Sequence, residues 1–320
     1  MGSRTPPAQT VGDLEELHEL TASGAKIQVA EQYLFQPIHQ ARLAVIASGK
    51  LGTVSHAQVS AAHGYHGTSL LRHYLGISAE PCRIRAMAFN APIADSPGRA
   101  GVQPEGKIAE SKQTIAWLTF ETDDGPKLGV FDWTGDIYFS YIRTPRILVR
   151  GEQGEISNSS VRYLQSPTQP MEFEISRLDA GAGGQPDTLE GIYHKGYLGG
   201  GEYLETNSLA SGAAQPRLTD DVRNPPALVL RRSPPTFPTE RLGLAQELAN
   251  AVTLAKMSEY ASGGPSFYSL ADAAQDRYLD LMIAEAEASG EEVLATPQVW
   301  ADAVDGPEPM SAKATMLSKL

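Results

Sequence analysis

The sequence predicts an α+β protein in which one large, mainly antiparallel open sheet carries helices packed on one face, preceded by a short αβ unit. Three observations support this fold class. Residues 10–30 join a helical pattern to a strand pattern, residues 114–178 contain consecutive hairpin signals, and residues 242–290 contain two long helical segments. A run of hairpins builds an antiparallel sheet with one face to cover, and the closing helices supply that cover.

The opening segment indicates a helix followed by a strand. Thr10 and Asp13 have the spacing of a capping box, with Asp in place of the usual Glu or Gln. Leucines then recur at helical spacing until Gly24, a residue that commonly ends a helix. Residues 26–30 alternate apolar and polar side chains as a strand does. A helix that passes quickly into a strand is typical of an αβ unit of a parallel sheet.

The next stretch predicts a helix, a strand and a second, shorter helix. Pro37 suits the first turn of a helix, and Gly49 and Gly52 lie where that helix is expected to end. Residues 54–62 are small and β-branched, which favours a strand. Residues 69–76 read as a short amphipathic helix that ends at a glycine.

The middle of the chain predicts a series of strands. Two strand patterns within residues 114–133 flank the turn sequence Asp-Asp-Gly at 123–125, which is a strong hairpin signal. Residues 146–157 indicate a second hairpin, and residues 171–178 alternate as a further strand. Residues 181–238 are rich in Gly, Pro and Ser, so we expect mostly loop there.

Composition and charge limit the functional classes. The 320 residues include 26 Lys and Arg against 38 Asp and Glu, a net charge of −12 that disfavours nonspecific binding to nucleic acid or to anionic membranes. We find no apolar run of the roughly 20 residues that a membrane span needs, and no signal peptide pattern at residues 1–6. Cys82 is the single cysteine, which fits a reducing compartment. We therefore expect a cytoplasmic protein.

Three stretches together resemble the Gfo/Idh/MocA family of sugar oxidoreductases, which includes glucose–fructose oxidoreductase and inositol dehydrogenase. Residues 30–52 resemble the strand and helix that enter the family's second domain. Residues 63–72 resemble the segment that holds the family's catalytic histidine, and residues 264–273 resemble its closing helix signature. The stretches occur in the family's order and spacing.

The resemblance implies a domain organisation and a partner. Residues 1–30 correspond to the last helix and strand of the family's Rossmann domain, and residues 31–304 to its substrate and oligomerisation domain, followed by a polar tail at 305–320. It also implies a carbohydrate-like substrate (a sugar, inositol or related polyol). Family members pair their sheets face to face, so the resemblance implies a homodimer or higher oligomer through the face that carries Trp117.

The resemblance implies NAD or NADP as cofactor, and Thr5, Pro6 and Glu31 occupy the positions that face it. The family's Gly-x-Gly-x-x-Gly turn between a strand and a helix is absent from the N-terminus. The glycines at 181–184 and 199–201 do not lie between a clear strand and a helix, so they do not replace it. We therefore expect this chain alone to bind the dinucleotide no better than about millimolar.

His66 occupies the position of the family's catalytic histidine. An imidazole that titrates near neutrality can take or give the proton of an alcohol. Two of its usual partners differ: Thr5 replaces the family's lysine, and Ala62 replaces an aspartate that lies four residues before the histidine. The sequence therefore predicts that His66 acts without a carboxylate, either alone or together with Tyr65 or His63.

Further residues are candidates for contact with the substrate. By family position or by the chemistry of their neighbours they are Tyr33, His63, Tyr65, Arg72, His194 and Lys195. Each has a structural alternative: Arg72 is better explained as an ion-pair residue, and His194 and Lys195 as part of a solvated loop flanked by glycines. His63 and His66 lack a third ligand at metal-site spacing, so we expect no metal.

Three hypotheses follow, from different functional classes. In the first hypothesis, the chain is the substrate-binding part of an oxidoreductase. Its nucleotide-binding domain is then either encoded upstream of a misassigned start or supplied by a separate subunit. Alternatively, it is a non-catalytic partner or small-molecule-binding subunit that kept the α/β domain. A third hypothesis is a lyase or isomerase that acts on a sugar derivative through His66 without an exchangeable cofactor. The missing glycine turn speaks against the first hypothesis for these 320 residues, and the retained His66 segment against the second.

Overall fold

The computed structural model describes residues 2–3, 6–94, 107–138, 143–179, 192–199, 202–206 and 245–304. The α-helices within these ranges are α1 Val11–Ala22, α2 Pro37–Ala47, α3 Gly64–Leu75, α4 Ala245–Ala261 and α5 Leu270–Ser289. The strands are β1 Gly2–Ser3, β2 Gln28–Val29, β3 Val54–Ser60, β4 Cys82–Ala94, β5 Ile108–Thr122, β6 Gly125–Thr134, β7 Arg146–Gly151, β8 Gly154–Ser157, β9 Ser160–Ser166, β10 Gln169–Glu174, β11 Ser176–Asp179, β12 Ile192–Gly199, β13 Glu202–Thr206 and β14 Val293–Ala295.

Nine strands form one sheet in the order β10-β9-β8-β7-β3-β6-β5-β4-β14. Both predicted hairpins are confirmed: β5 pairs with β6, and β7 pairs with β8. The parallel pair is β3 with β6, in which His56 lies opposite Leu128, whereas the other neighbours in this sheet run antiparallel. The predicted α+β class with a large, mainly antiparallel sheet is confirmed.

The alternation of side chains along the strands gives the sheet one covered face and one bare face. On β5, Leu118 and Phe120 are completely buried, while Trp117 between them is 43% exposed. Helices α3 and α5 pack on the covered face. On the bare face, Met87 and Phe89 of β4 are exposed together with Trp117. The bare face therefore carries an apolar patch on β4 and β5.

The N-terminal segment forms the predicted αβ unit. The capping box of α1 is present: the Asp13 amide donates to Thr10 Oγ1 at 3.2 Å, and the Thr10 amide donates to Asp13 Oδ2 at 3.1 Å. Strands β1 and β2 pair in parallel. Helix α1 lies against α5, and Leu14 joins the same hydrophobic core as the large sheet.

Three predictions of local structure were wrong. Helix α3 begins at Gly64 rather than at 69, because the chain leaves β3 at Ser60 and turns at once. The strand predicted at 171–178 is split between β10 and β11. Within residues 181–238, for which the sequence predicts mostly loop with at most one short element, the described residues form the antiparallel pair β12 and β13, in which Tyr197 and Tyr203 are paired positions.

Within the described part of the chain, no helix combines the length and the apolarity that crossing a membrane requires. The predicted polar tail at 305–320 lies outside the described residues.

Candidate functional site

The candidate site lies where β3 ends and α3 begins. Because β3 and β6 are parallel, their carboxyl ends meet at one edge of the sheet, which is where open sheets of this kind bind ligands. The chain leaves β3 at Ser60 and enters α3 at Gly64, with His63 as the N-cap residue. The His66 amide donates to the His63 carbonyl at 3.0 Å, so His66 belongs to the first helical turn.

Gly67 fixes the position of this turn against the sheet. A Cβ atom at Gly67 would lie 2.4 Å from Cε2 of Phe131 and 2.6 Å from the carbonyl oxygen of Ala62. Only a residue without a side chain allows α3 to approach β6 so closely. The neighbouring His66 is consequently held on a rigid support.

The imidazole of His66 is held by a buried carboxylate. Glu31 Oε2 lies 2.5 Å from His66 Nδ1, and the other oxygen, Oε1, accepts the Tyr33 amide hydrogen at 2.8 Å. Glu31 has no exposed surface, and His66 is 6% exposed. An ionised carboxylate can only accept hydrogen bonds, so Nδ1 carries the proton and Nε2 is the nitrogen left for proton exchange.

This contact overturns the expectation that His66 acts without a carboxylate. Ala62 cannot supply a carboxylate, but Glu31 supplies one from the segment that follows β2. The same geometry does not suit the predicted cofactor role of Glu31, because both of its oxygens are engaged inside the protein. One signal in the sequence points to Glu31: it is a single carboxylate directly after a buried strand, where an unpaired charge would be costly.

Three aromatic rings surround His66. The ring centroids of Tyr33, His63 and Tyr65 lie 4.6, 4.9 and 5.3 Å from that of His66. The structure therefore brings these three predicted substrate residues together with the predicted catalytic residue. Trp133 also joins the site, since its ring meets His63 edge-on at 5.8 Å between centroids.

The rings around His66 differ in their exposure and in the direction in which their pKa is shifted. Tyr65 is buried, and burial, followed by the charge of Glu31, raises the pKa of its hydroxyl well above the ordinary value. His63 is exposed at the surface, yet the protein packed around part of its ring lowers its pKa, and the neighbouring His66 lowers it further. Near neutral pH, Tyr65 thus keeps its proton, whereas His63 is mostly uncharged and able to accept one.

Arg72 lies inside the protein, in an ion-pair cluster that joins α3 to α5. Its Nε donates to Asp276 Oδ1 at 2.7 Å and its Nη2 to Asp272 Oδ1 at 2.9 Å, and its side chain has no exposed surface. Asp276 also accepts a hydrogen bond from the Tyr268 hydroxyl. This arrangement favours the ion-pair interpretation of Arg72 over contact with a substrate.

The remaining predicted site residues are not placed at His66. His194 and Lys195 lie on β12, opposite Arg177 and Ser176 of β11, so they belong to a strand and not to the predicted loop. Pro6 precedes α1 near the start of the described chain, and Thr5 lies outside the described residues.

Glu31 and the helix N-terminus that follows Pro6 do not fit the pyrophosphate of a nicotinamide dinucleotide. A phosphate site of that kind needs free amide groups at a helix N-terminus. The N-terminus of α1 is instead closed by its own capping box, whose Asp13 carboxylate would repel a phosphate. Glu31 is buried against His66. We therefore assign no dinucleotide contact to these residues.

No protein-family model matches the sequence, and no curated protein matches it. Solved structures do match. An oxidoreductase domain protein from Kribbella flavida superposes with a TM-score of 0.52 and 15% identity, over 93% of this chain and 74% of the other.

Two structures with bound ligands are similar in the same way. An oxidoreductase from Agrobacterium radiobacter in complex with NAD+, L-tartaric acid and magnesium gives a TM-score of 0.50 and 16% identity, over 91% and 72% of the two chains. A levoglucosan dehydrogenase in complex with NADH and levoglucosan gives 0.51 and 14%, over 93% and 73%. At these identities the similarity shows the fold alone. The chain has the fold of Gfo/Idh/MocA-type oxidoreductases, as its sequence resemblance implied.

Proposed function

We propose that this chain is the substrate side of an oxidoreductase that acts on a polyhydroxylated molecule (a sugar, inositol or related polyol), and that His66 exchanges the alcohol proton. The observation that supports this proposal most strongly is the buried contact between His66 Nδ1 and Glu31 Oε2 at 2.5 Å. A carboxylate that orients an imidazole in this way is a recurrent arrangement for acid–base chemistry.

The proposed chemistry of the chain's own residues is a proton transfer. The O–H bond of a substrate hydroxyl breaks and an N–H bond forms at His66 Nε2, while Nδ1 stays bonded to Glu31. The positive charge that develops on the imidazole is stabilised by the buried carboxylate, because Coulomb attraction is strong where water is excluded. Tyr33, whose amide hydrogen holds Glu31, fixes the direction of the carboxylate. In the reverse direction the same proton returns to the substrate oxygen.

His66 can exchange the proton of an alcohol, so we propose a substrate that carries hydroxyl groups. The similar structures indicate which compounds to test. Levoglucosan and L-tartaric acid, the molecules bound in two of them, both carry several hydroxyl groups. Since Glu31 and the N-terminus of α1 do not fit a dinucleotide, we propose that NAD or NADP is held by a nucleotide-binding fold from another segment or another subunit. No hydride step is assigned to the residues of this chain.

The test compares the wild-type protein with His66→Asn on levoglucosan, tartrate, glucose and myo-inositol, with NAD+ or NADP+, in purified form and in cell extract. We expect the substitution to reduce turnover by about 10²- to 10⁴-fold while the variant stays folded at the assay temperature. Equal turnover would remove His66 from the chemistry. Turnover in extract but not in purified protein would indicate a separate nucleotide-binding subunit. A sugar that binds without turnover in either would favour the non-catalytic hypothesis.

We also propose that the bare face of the sheet binds a second copy of the chain. This face exposes Met87, Phe89 and Trp117, and an apolar patch of this kind is an association surface. We expect sedimentation of the wild type at micromolar concentration to show a dimer or larger assembly, and Phe89→Glu to weaken it. The matched control is Leu254→Glu, at an exposed apolar residue of α4, which should leave the assembly intact. A monomeric wild type would contradict the proposal.

A further inference from the structure

A proton taken up by His66 needs a path to water. The side of the ring that faces Glu31 offers none, because Glu31 is completely buried and its second oxygen accepts the Tyr33 amide hydrogen. His66 itself is only 6% exposed. Solvent reaches this ring only over its small exposed part, so a neighbouring group that is itself exposed offers a further route for the proton.

The rings of Tyr33, Tyr65 and His63 contact the imidazole of His66, and they differ in their ability to accept and donate a proton. Tyr33 and Tyr65 are 8% and 3% exposed, so neither reaches bulk water. The hydroxyl of Tyr65 is buried with no hydrogen-bond partner among the described residues, and its pKa is raised well above the ordinary value by burial. His63 is exposed, and an imidazole can both accept and donate a proton near neutral pH.

We propose that His63 relays protons between His66 and solvent. The inference rests on the proposed acid–base role of His66. The ring centroids lie 4.9 Å apart and the ring planes are tilted by 40°, so the two imidazoles are direct neighbours that one bridging water can join. His63 is fixed as the N-cap residue of α3, and the edge-on ring of Trp133 holds it on its other side.

Each relay step is a proton transfer without a change of oxidation state. An N–H bond of the His66 imidazolium breaks while an N–H bond forms on one nitrogen of His63. The proton on the other nitrogen of His63 then passes to water. Burial lowers the pKa of His63 most, and the charge of His66 lowers it further. Asp280 and Glu31 raise it more weakly. The net lowering of the pKa keeps the His63 imidazole mostly uncharged at neutral pH, and only the uncharged ring can accept a proton.

The relay is testable without any substrate. In protein labelled with ¹⁵N-histidine, the rate at which the proton on Nε2 of the His66 imidazolium exchanges with water is measured by magnetisation transfer, at a pH where the ¹⁵N shifts show that this form is present. We expect His63→Gln to slow this exchange by about 100-fold, the lower end of what a positioned proton carrier contributes. His63 makes no side-chain capping hydrogen bond, so α3 keeps its N-terminus in the variant. The matched control His56→Gln, on β3, should exchange as the wild type does.

A second measurement covers the case in which His63→Gln perturbs the fold. Wild-type protein carbethoxylated at His63 by diethyl pyrocarbonate has its ring nitrogen blocked, and exchange at His66 should slow in the same way. An unchanged exchange rate in the folded variant or in the modified protein overturns the relay. Because this experiment uses no substrate, an unchanged exchange rate would not bear on the proposed function. The turnover of His66→Asn tests that function separately.

Discussion

Glu31 Oε2 lies 2.5 Å from His66 Nδ1 in the protein interior, although 35 positions separate the two residues in the chain. The contact joins the segment after β2 to the first turn of α3, so the site exists only in the folded protein. It gives His66 a fixed tautomer and a buried counter-charge, neither of which Ala62 can provide.

The ion-pair cluster of Arg72 should be essential for stability. Replacing Arg72 by Met leaves Asp272 and Asp276 as buried carboxylates without their cation, and breaking such a pair costs about 3–5 kcal/mol. The control is Arg83→Met, because Arg83 is 67% exposed in its pair with Glu292 and such pairs contribute about 0–1 kcal/mol. Urea unfolding measures both. Equal losses in the two variants would contradict the role of the cluster.

Gly67→Ala should displace the first turn of α3. Its Cβ would lie 2.4 Å from Phe131 Cε2 and 2.6 Å from the Ala62 carbonyl, so we expect a loss of about 1–3 kcal/mol and a disturbed His66 site. Gly12→Ala in α1 is the control, since its Cβ would meet only Thr10 Oγ1 at 3.9 Å and should stabilise the helix by about 0.4–1 kcal/mol. Thermal unfolding would refute the account if Gly67→Ala were as stable as the wild type.

The single cysteine should be inert in the folded protein. Burial raises the pKa of the Cys82 thiol to about 12, and the residue is 2% exposed. At pH 8 the thiolate fraction is then about 10⁻⁴, and the thiolate is the form that reacts. We expect a disulfide reagent to label the native protein hardly at all and to label one thiol after unfolding in urea. Rapid, complete labelling of the native protein would be incompatible with this burial.

The sequence predicts the fold better than the site. The hairpin around Asp123 and Asp124 and the helix capped by Ser269 depend on local turn and capping chemistry, so a single sequence is enough to locate them. The partner of His66 depends on a contact between distant segments, and no local pattern specifies which carboxylate approaches Nδ1.

The strand at β12 escaped prediction for a different reason. Glycines surround Tyr193 and Tyr197, and glycine is a signal of loops when only neighbouring residues are considered. The pairing of β12 with β11 and β13 supplies the hydrogen bonds that make this stretch a strand. Tertiary pairing of this kind outweighs local propensity.

The most direct test of the His66–Glu31 unit is a double-mutant cycle on turnover with the polyol that the wild type converts fastest, in the preparation that shows activity. If Glu31 acts through His66, Glu31→Gln should lower kcat, with KM little changed, and the double variant with His66→Asn should be no slower than His66→Asn alone. Fully additive losses in the double variant, or a wild-type kcat in Glu31→Gln, would contradict the account.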